Sequence, residues 1–473
     1  MKSRSASATV LGVSIFLGIL VWILADTPRA SAIPAFSRKY QTSCTTCHNN
    51  YPELNDFGEA FKKNGFKFPK DDELFVKEPP VLLGAKAQKE AFPNAVYPGE
   101  IPGNIPLAFR YSGNFTYNSR QPLGLGFLPR TDLFVPNTFT IIGAGSFGPN
   151  ISFWVDDDIS SGGSGADGGL GDGYLKFNDL GHFIGLPKDT LNFRMGQFEL
   201  DLPVTQARTI NLSTYDIYDQ ASMIGGLPGT TSNPLVFGST QRGFELGGYP
   251  NDGNFSWSFA LVNGSNNNAA TRNTKDIYLR VSQRFNLERD PNARKEVQAA
   301  GPSGPRDHTS IRFGAFYYYG RNNINANRMF SNAGAAHEPF YRVGGDVRFK
   351  YRHFEIYGVG MYGHDNNLIL NGAGTGFDPA APVTFSGGFI QAQYWVYPWL
   401  MPLMRYDTVI SPTDQQNGAS RNDSRNRFSP GFQLLVRANI KLAFEYQHRW
   451  QTPTGTGTLY HPNGFSTGID FVF

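Results

Sequence analysis

Two cysteines, Cys44 and Cys47, stand two residues apart and are followed at once by His48, in the string Ser43-Cys44-Thr45-Thr46-Cys47-His48. This C-x-x-C-H spacing is that of covalent haem attachment. Two intervening residues put both sulfurs on one side of a helical turn, where they can form thioethers with the haem vinyl groups, and the adjacent imidazole reaches iron as the proximal ligand. A redox dithiol wants a βαβ context that this chain lacks, and a zinc site wants four ligands where one His and two Cys stand. The expected cofactor is one haem c on Cys44, Cys47 and His48.

A distal ligand is harder to place. From Ile33 to Pro106 there is no Met, and His48 is the only His. The iron is therefore expected to be five-coordinate or to take a ligand from the rest of the chain. Strand parity sets Met195 and His448 toward lipid, and His337, His364 and His461 fall in expected extracellular loops. His182 and His353 fall in turns, whereas His308 and Met401 sit at inward positions near strand starts and are the leading distal candidates. Each alone is more often a packing residue than a ligand.

The elements around this motif begin with an export signal. Lys2 and Arg4 precede an apolar stretch from Val10 to Ala25, and Ala30-Ser31-Ala32 supplies a small-x-small cleavage pattern. Residues 1–32 are expected to be a signal peptide and 33–68 a monohaem cytochrome c segment. In that segment Pro52 is expected in the first turn of a helix whose Leu54, Phe57 and Phe61 form a stripe against the porphyrin. Residues 69–106 carry seven prolines and read as a stiff linker.

From Leu107 onward the hydropathy has period two. Phe109, Tyr111, Phe115 and Tyr117 share one face, with Arg110, Ser112, Asn114 and Thr116 on the other, and the rhythm returns in Phe255–Leu261, Ile277–Val281 and Ile440–Tyr446. Connections alternate between short turns, such as Arg352-His353, and long loops, such as 199–239, as they do when only one side of a membrane carries loops. About sixteen strands can be counted, among them 137–147, 308–320, 340–351, 354–363 and 384–397, and the chain ends on Phe473. The fold expected is all-β: an outer-membrane antiparallel barrel over 107–473, with the small α-helical cytochrome segment at its N-terminus. Arg194, Glu245, Arg348, Glu355, Asp407, Lys441 and Glu445 are expected to face its lumen. The insertion at 286–307 is expected in the periplasm. An acidic run, Asp156-Asp157-Asp158 with Asp167 and Asp172, is expected at an extracellular strand end, as a solvated loop or a site for Ca²⁺ or Fe(II).

Composition removes other classes. Charged residues make up 17% of the 473, aromatics 14%, and beyond the N-terminus no run of about 18 apolar residues could cross a bilayer as a helix. A net charge of +3 with no basic tract argues against nucleic acid. No Ser-His-Asp or H-E-x-x-H pattern suggests hydrolysis.

An export signal, one C-x-x-C-H and a barrel ending in Phe resemble the fused monohaem cytochrome-porin family, whose best-known members are outer-membrane iron oxidases. The string Pro34-Ala35-Phe36-Ser37-Arg38, Cys44-Thr45-Thr46-Cys47-His48, Pro52-Glu53-Leu54, Phe57-Gly58, Phe61-Lys62 and Gly65-Phe66 carries the resemblance, with Ser37 and Lys39 departing from it. The resemblance implies a bacterial outer-membrane protein with its haem segment periplasmic or in the lumen. It would act as a one-electron oxidoreductase between an extracellular donor, with Fe(II) the candidate, and a periplasmic c-type cytochrome or other soluble carrier. The alternatives are a diffusion porin with a haem-bearing tether or sensor, and a peroxidase-like haem site.

Overall fold

The protein is described here from a computed structural model. It describes residues 35–68, 72–78, 81–82, 86–94, 100–101, 103, 106–119, 130–148, 150–161, 169–205, 211–221, 235–251, 253–264, 266, 274–287, 309–325, 335–370, 377–411, 414–416, 419–421, 424–450 and 463–473. The expected signal peptide, most of the 286–307 insertion, His308 and His461 lie outside these residues.

Sixteen antiparallel strands form a closed barrel in which each strand pairs with the next in sequence, from Leu107–Asn118 to Gly464–Val472. The last strand pairs back onto the first, with Asp470 opposite Ser112 and Phe471 opposite Tyr111. The seam is finished by Phe109 N–H donating to the Phe473 carbonyl, by the reciprocal bond from Phe473 N–H to the Phe109 carbonyl, and by stacking of the two rings, 5.5 Å between centroids. Closure leaves no strand edge unpaired, which is what a sheet surrounded by lipid requires.

The period-two pattern becomes an inside and an outside. In Phe255–Val262 the residues Ser256, Ser258, Ala260 and Val262 are buried within the barrel, while Leu261, Leu279, Leu246 and Phe244 stay exposed on its outer wall. Met195 is exposed on that wall too, as parity requires. Several strands run further than the alternation predicts: Thr131–Phe147, Ser310–Asn325, Ala335–Tyr351, Phe354–Leu370 and Phe377–Tyr394. His337 and His364 consequently lie in strands rather than loops.

The linker is not one extended rod. Its described residues include a turn of helix at Asp72–Phe75, another at Lys86–Ala91, and a two-residue pairing of Val81–Leu82 with Glu100–Ile101. The long 199–239 connection also departs from expectation, since its described part folds into the barrel. There the helix α3 (Asp216–Ala221) is buried, with Tyr215, Ile217 and Tyr218 fully so, and Tyr215 stacks 4.0 Å from Phe389 of the wall. Asp216 meets Arg427 and Arg449, both at 3.1 Å, and Arg342 donates to the Ala221 carbonyl at 2.9 Å.

Candidate functional site

The cysteine motif is built from two short helices and the turn between them. The first helix, α1, is Ala35–Tyr40; the second, α2, is Asp56–Lys63; Cys44–Thr46 forms one 3₁₀ turn capped by the Ser43 side chain. Helix α2 begins later than Pro52 suggested. Asn55 is the better N-cap, accepting from Gly58 N–H at 2.8 Å, and it also donates to the Thr46 carbonyl at 3.0 Å while its own N–H bonds the Cys47 carbonyl. One side chain thus fixes the helix start to the cysteine turn.

Gly58 is required by that approach. A Cβ there would collide with the Cys47 carbonyl oxygen and lie 2.9 Å from Leu54 Cδ2. Gly58→Ala is expected to cost about 1–3 kcal/mol by overpacking and to push α2 off the turn. The check is the ratio of haem absorbance to protein in the purified variant, which should fall well below that of the parent.

His48 is oriented by a backbone carbonyl, with Nδ1 3.2 Å from the Pro52 oxygen. That leaves Nε2 for a metal, and a carbonyl on the other ring nitrogen is the usual partner of a ligating imidazole. Burial, against the opposing pull of the Pro52 and Glu53 carbonyls, lowers its pKa to about 4, so the ring is neutral as ligation requires. Burial likewise raises the Cys44 thiol and, with Cys44 alongside, pushes Cys47 up to about 12. Such thiols are poor thiolates, the opposite of what a redox dithiol needs.

Cys44, Cys47 and His48 line one cavity of about 310 Å³ together with Phe61, Leu54 and Tyr40. This volume is within the range of about 300–1,000 Å³ common for cofactor sites. Phe61 and Leu54 meet the expectation of an apolar stripe, whereas Phe57 turns away to pack edge-on against Phe68. These residues fit a haem: two thiols and a carbonyl-held neutral imidazole on one wall of an apolar slot.

The segment sits inside the barrel. Arg348 donates to Glu53 at 2.8 Å, Lys350 to Asp56 at 2.8 Å, Asn50 to Gln433 at 3.1 Å, and Lys441 to the Tyr51 carbonyl. Lys176 donates to the Lys63 carbonyl at the end of α2 at 2.8 Å. The expected lumen residues are therefore spent on two tasks. Arg348, Lys441 and Glu355, which accepts from Asn49 at 3.5 Å, hold the segment; Arg194 pairs with Glu245 at 2.6 Å, Asp407 with Arg405 at 2.8 Å, and Glu445 accepts from Leu212 N–H of the inward connection at 3.0 Å.

Met401 does point inward and is buried, but it packs with Trp395 and Leu403, its sulfur 3.8 Å from Asn50 Nδ2, and it does not line the cavity that holds His48. His182 lies in the 3₁₀ turn Leu180–Ile184 and His353 in the tight turn after Tyr351. The acidic run is split by parity. Asp156, Asp158 and Asp172 reach the cavity, where Asp156 accepts from Trp154 Nε1 at 3.0 Å and Asp158 from Thr140, while Asp157 is exposed; Asp167 lies outside the described residues. Among the described residues no group of His, Cys, Asp and Glu is set to hold a metal ion. Sequence reasoning did not identify Trp154, whose ring packs 5.6 Å from Phe66 and joins the segment to the wall; its inward parity was the available signal.

No family model and no curated protein matches the chain. Solved structures do. The anion-selective porin from Comamonas acidovorans is similar over 78% of this chain and 98% of its own, at 10% identity and a TM-score of 0.52. The outer-membrane channel DcaP of Acinetobacter baumannii (13% identity, TM-score 0.47) and OmpF of Salmonella typhi (12%, 0.47) also cover 78% of this chain, and 96% and 97% of their own. At these identities the likeness is one of fold: the chain has the sixteen-stranded barrel of the porins.

Proposed function

We propose that this chain is an outer-membrane cytochrome-porin that passes single electrons between an extracellular donor and a soluble periplasmic carrier such as a c-type cytochrome. The observation that carries the proposal is the cavity in which Cys44, Cys47 and a carbonyl-held His48 face one apolar slot inside a barrel. A barrel presents an apolar band about 25 Å tall, which electrons do not cross readily without a cofactor and which hydrated metal ions do not enter. Bound in the slot, a haem supplies a one-electron couple. The chain's own part is to hold it. Cys44 and Cys47 would fix the ring, His48 would ligate its iron, Phe61 and Leu54 would keep water from its edge, and the ion pairs from Glu53 and Asp56 to the wall keep the segment at one depth. His308 remains a candidate distal ligand; Met401, packed outside the cavity, is the weaker one.

A second reading, a diffusion porin in which the haem segment is a tether or sensor, is favoured by the likeness to solved porins. The inserted segment and the buried α3 speak against an open lumen. The redox reading is tested in detergent: on adding Fe(II) to the purified oxidised protein, the haem spectrum should shift to the reduced form with one electron taken up per chain. A haem spectrum that Fe(II) leaves unchanged would remove Fe(II) as donor.

A further inference from the structure

We propose that a second cavity, next to that of Cys44, Cys47 and His48, binds one small doubly charged oxyanion of the phosphate class. Its volume is about 160 Å³, and it shares Leu54, Lys62 and Phe66 with its neighbour. At about 10–15 Å³ of cavity per water, a tetrahedral oxyanion fits together with several waters. The cavity lies between the end of α2 and the barrel wall. Gly248 and Tyr249, where a strand enters one of the short turns, border it.

Charge is what marks this cavity. Three of its cations are matched: Arg348 donates to Glu53 at 2.8 Å, Arg194 to Glu245 at 2.6 Å, and Arg280 to Asp346 at 2.8 and 3.1 Å. Three others are not. Lys63, the last residue of α2, and Arg312, on the strand Ser310–Asn325, stand within ion-pair distance of no carboxylate among the described residues. Asp56, the carboxylate that Arg312 feels most, is held instead by Lys350 at 2.8 Å and Arg284 at 3.5 Å. Lys176 donates to neutral groups, the Lys63 carbonyl at 2.8 Å and the Tyr249 hydroxyl at 2.7 Å. Glu59, one helical turn before Lys63, and Asp201 offset this charge in part. Even so, the Arg312 guanidinium adds to burial in pulling the Lys63 ammonium below its ordinary range. Like charges crowded in a partly desolvated cavity repel, and an anion bridging them replaces that repulsion with charge-assisted hydrogen bonds. A guanidinium fork offers two parallel donors and each ammonium a point charge, which suits a tetrahedral oxyanion. The barrel wall separates the cavity from lipid headgroups, so the occupant is a soluble anion, and it would clamp α2 to two wall strands.

The test is equilibrium dialysis of the purified full chain in detergent against radiolabelled inorganic phosphate at low ionic strength. The parent should bind one phosphate per chain. Lys63→Gln and Arg312→Gln should each weaken binding about 10- to 100-fold, since each removes a charged hydrogen-bonding partner. Arg312→Lys, which keeps the charge, should lose less than Arg312→Gln. Arg352→Gln, in an exposed turn, should bind as the parent does. Heat-modifiability establishes that each variant is folded. No phosphate on the folded parent, parental affinity in both glutamine variants, or an equal loss in Arg352→Gln would overturn the proposal. The proposal is independent of the haem reading, so phosphate should bind equally to the Cys44→Ala, Cys47→Ala chain. Binding to that chain and not to a haem-bearing parent would also overturn it, because the carboxylates of the haem would then be the anion in the cavity.

Discussion

Replacing Cys44 and Cys47 together by alanine is expected to remove all haem stain from the chain on a denaturing gel, while the parent band stains. Two thioethers hold a haem through denaturation and an axial imidazole does not, so the double variant should lose the whole signal. The barrel itself should survive, because its strands begin only at Leu107 and its seam is closed by Phe109, Arg110, Asp470 and Phe473, none of which belongs to the N-terminal segment that carries the cysteines. Heat-modifiable, membrane-inserted protein without stain is the expected pair of observations. Stain that persists in the double variant would mean the haem is held elsewhere or not at all by these thiols.

The second large effect concerns current. Reconstituted in a planar bilayer, the parent should conduct far less than an open sixteen-stranded porin, whose lumen is a water channel. The described lumen is occupied from two directions, by the N-terminal segment bonded to Arg348, Lys350 and Lys441 and by α3 bonded through Asp216 to Arg427 and Arg449. Removing Asp216 alone should loosen α3, since taking one partner from a buried ion-pair cluster costs about 3–5 kcal/mol. Excising 206–234 should go further and raise single-channel conductance severalfold. A parent that conducts like an open porin would favour the diffusion reading.

What the sequence discloses and what it hides divide along physical lines. The barrel was legible because lipid on one side and a polar lumen on the other impose a period of two on every strand, as in Phe255–Val262. The clustering of Cys44, Cys47 and His48 was legible because they are neighbours in the chain, and the structure sets all three on one cavity. Contacts across the lumen were not, since nothing local in Glu53 or Asp56 names Arg348 or Lys350 almost 300 residues on. The inward course of 199–239 was hidden for the same reason, although Tyr215-Asp216-Ile217-Tyr218 is an oddly apolar string for a solvated loop. Asp156 and Asp158 read as part of an acidic run, yet parity places them on the cavity and Asp157 outside it. Helix α2 started late because Asn55, reaching both Gly58 and Thr46, caps better than Pro52 begins.

The central claim is that the loaded chain carries electrons through a barrel that does not carry ions. It is tested most directly in sealed vesicles containing the purified protein, with oxidised soluble cytochrome c trapped inside and Fe(II) added outside. The account predicts that the trapped cytochrome becomes reduced, that vesicles with the Cys44→Ala, Cys47→Ala variant leave it oxidised, and that neither preparation leaks a trapped small-molecule dye. Equal reduction in both preparations, or none in vesicles whose protein bears its haem, would contradict it.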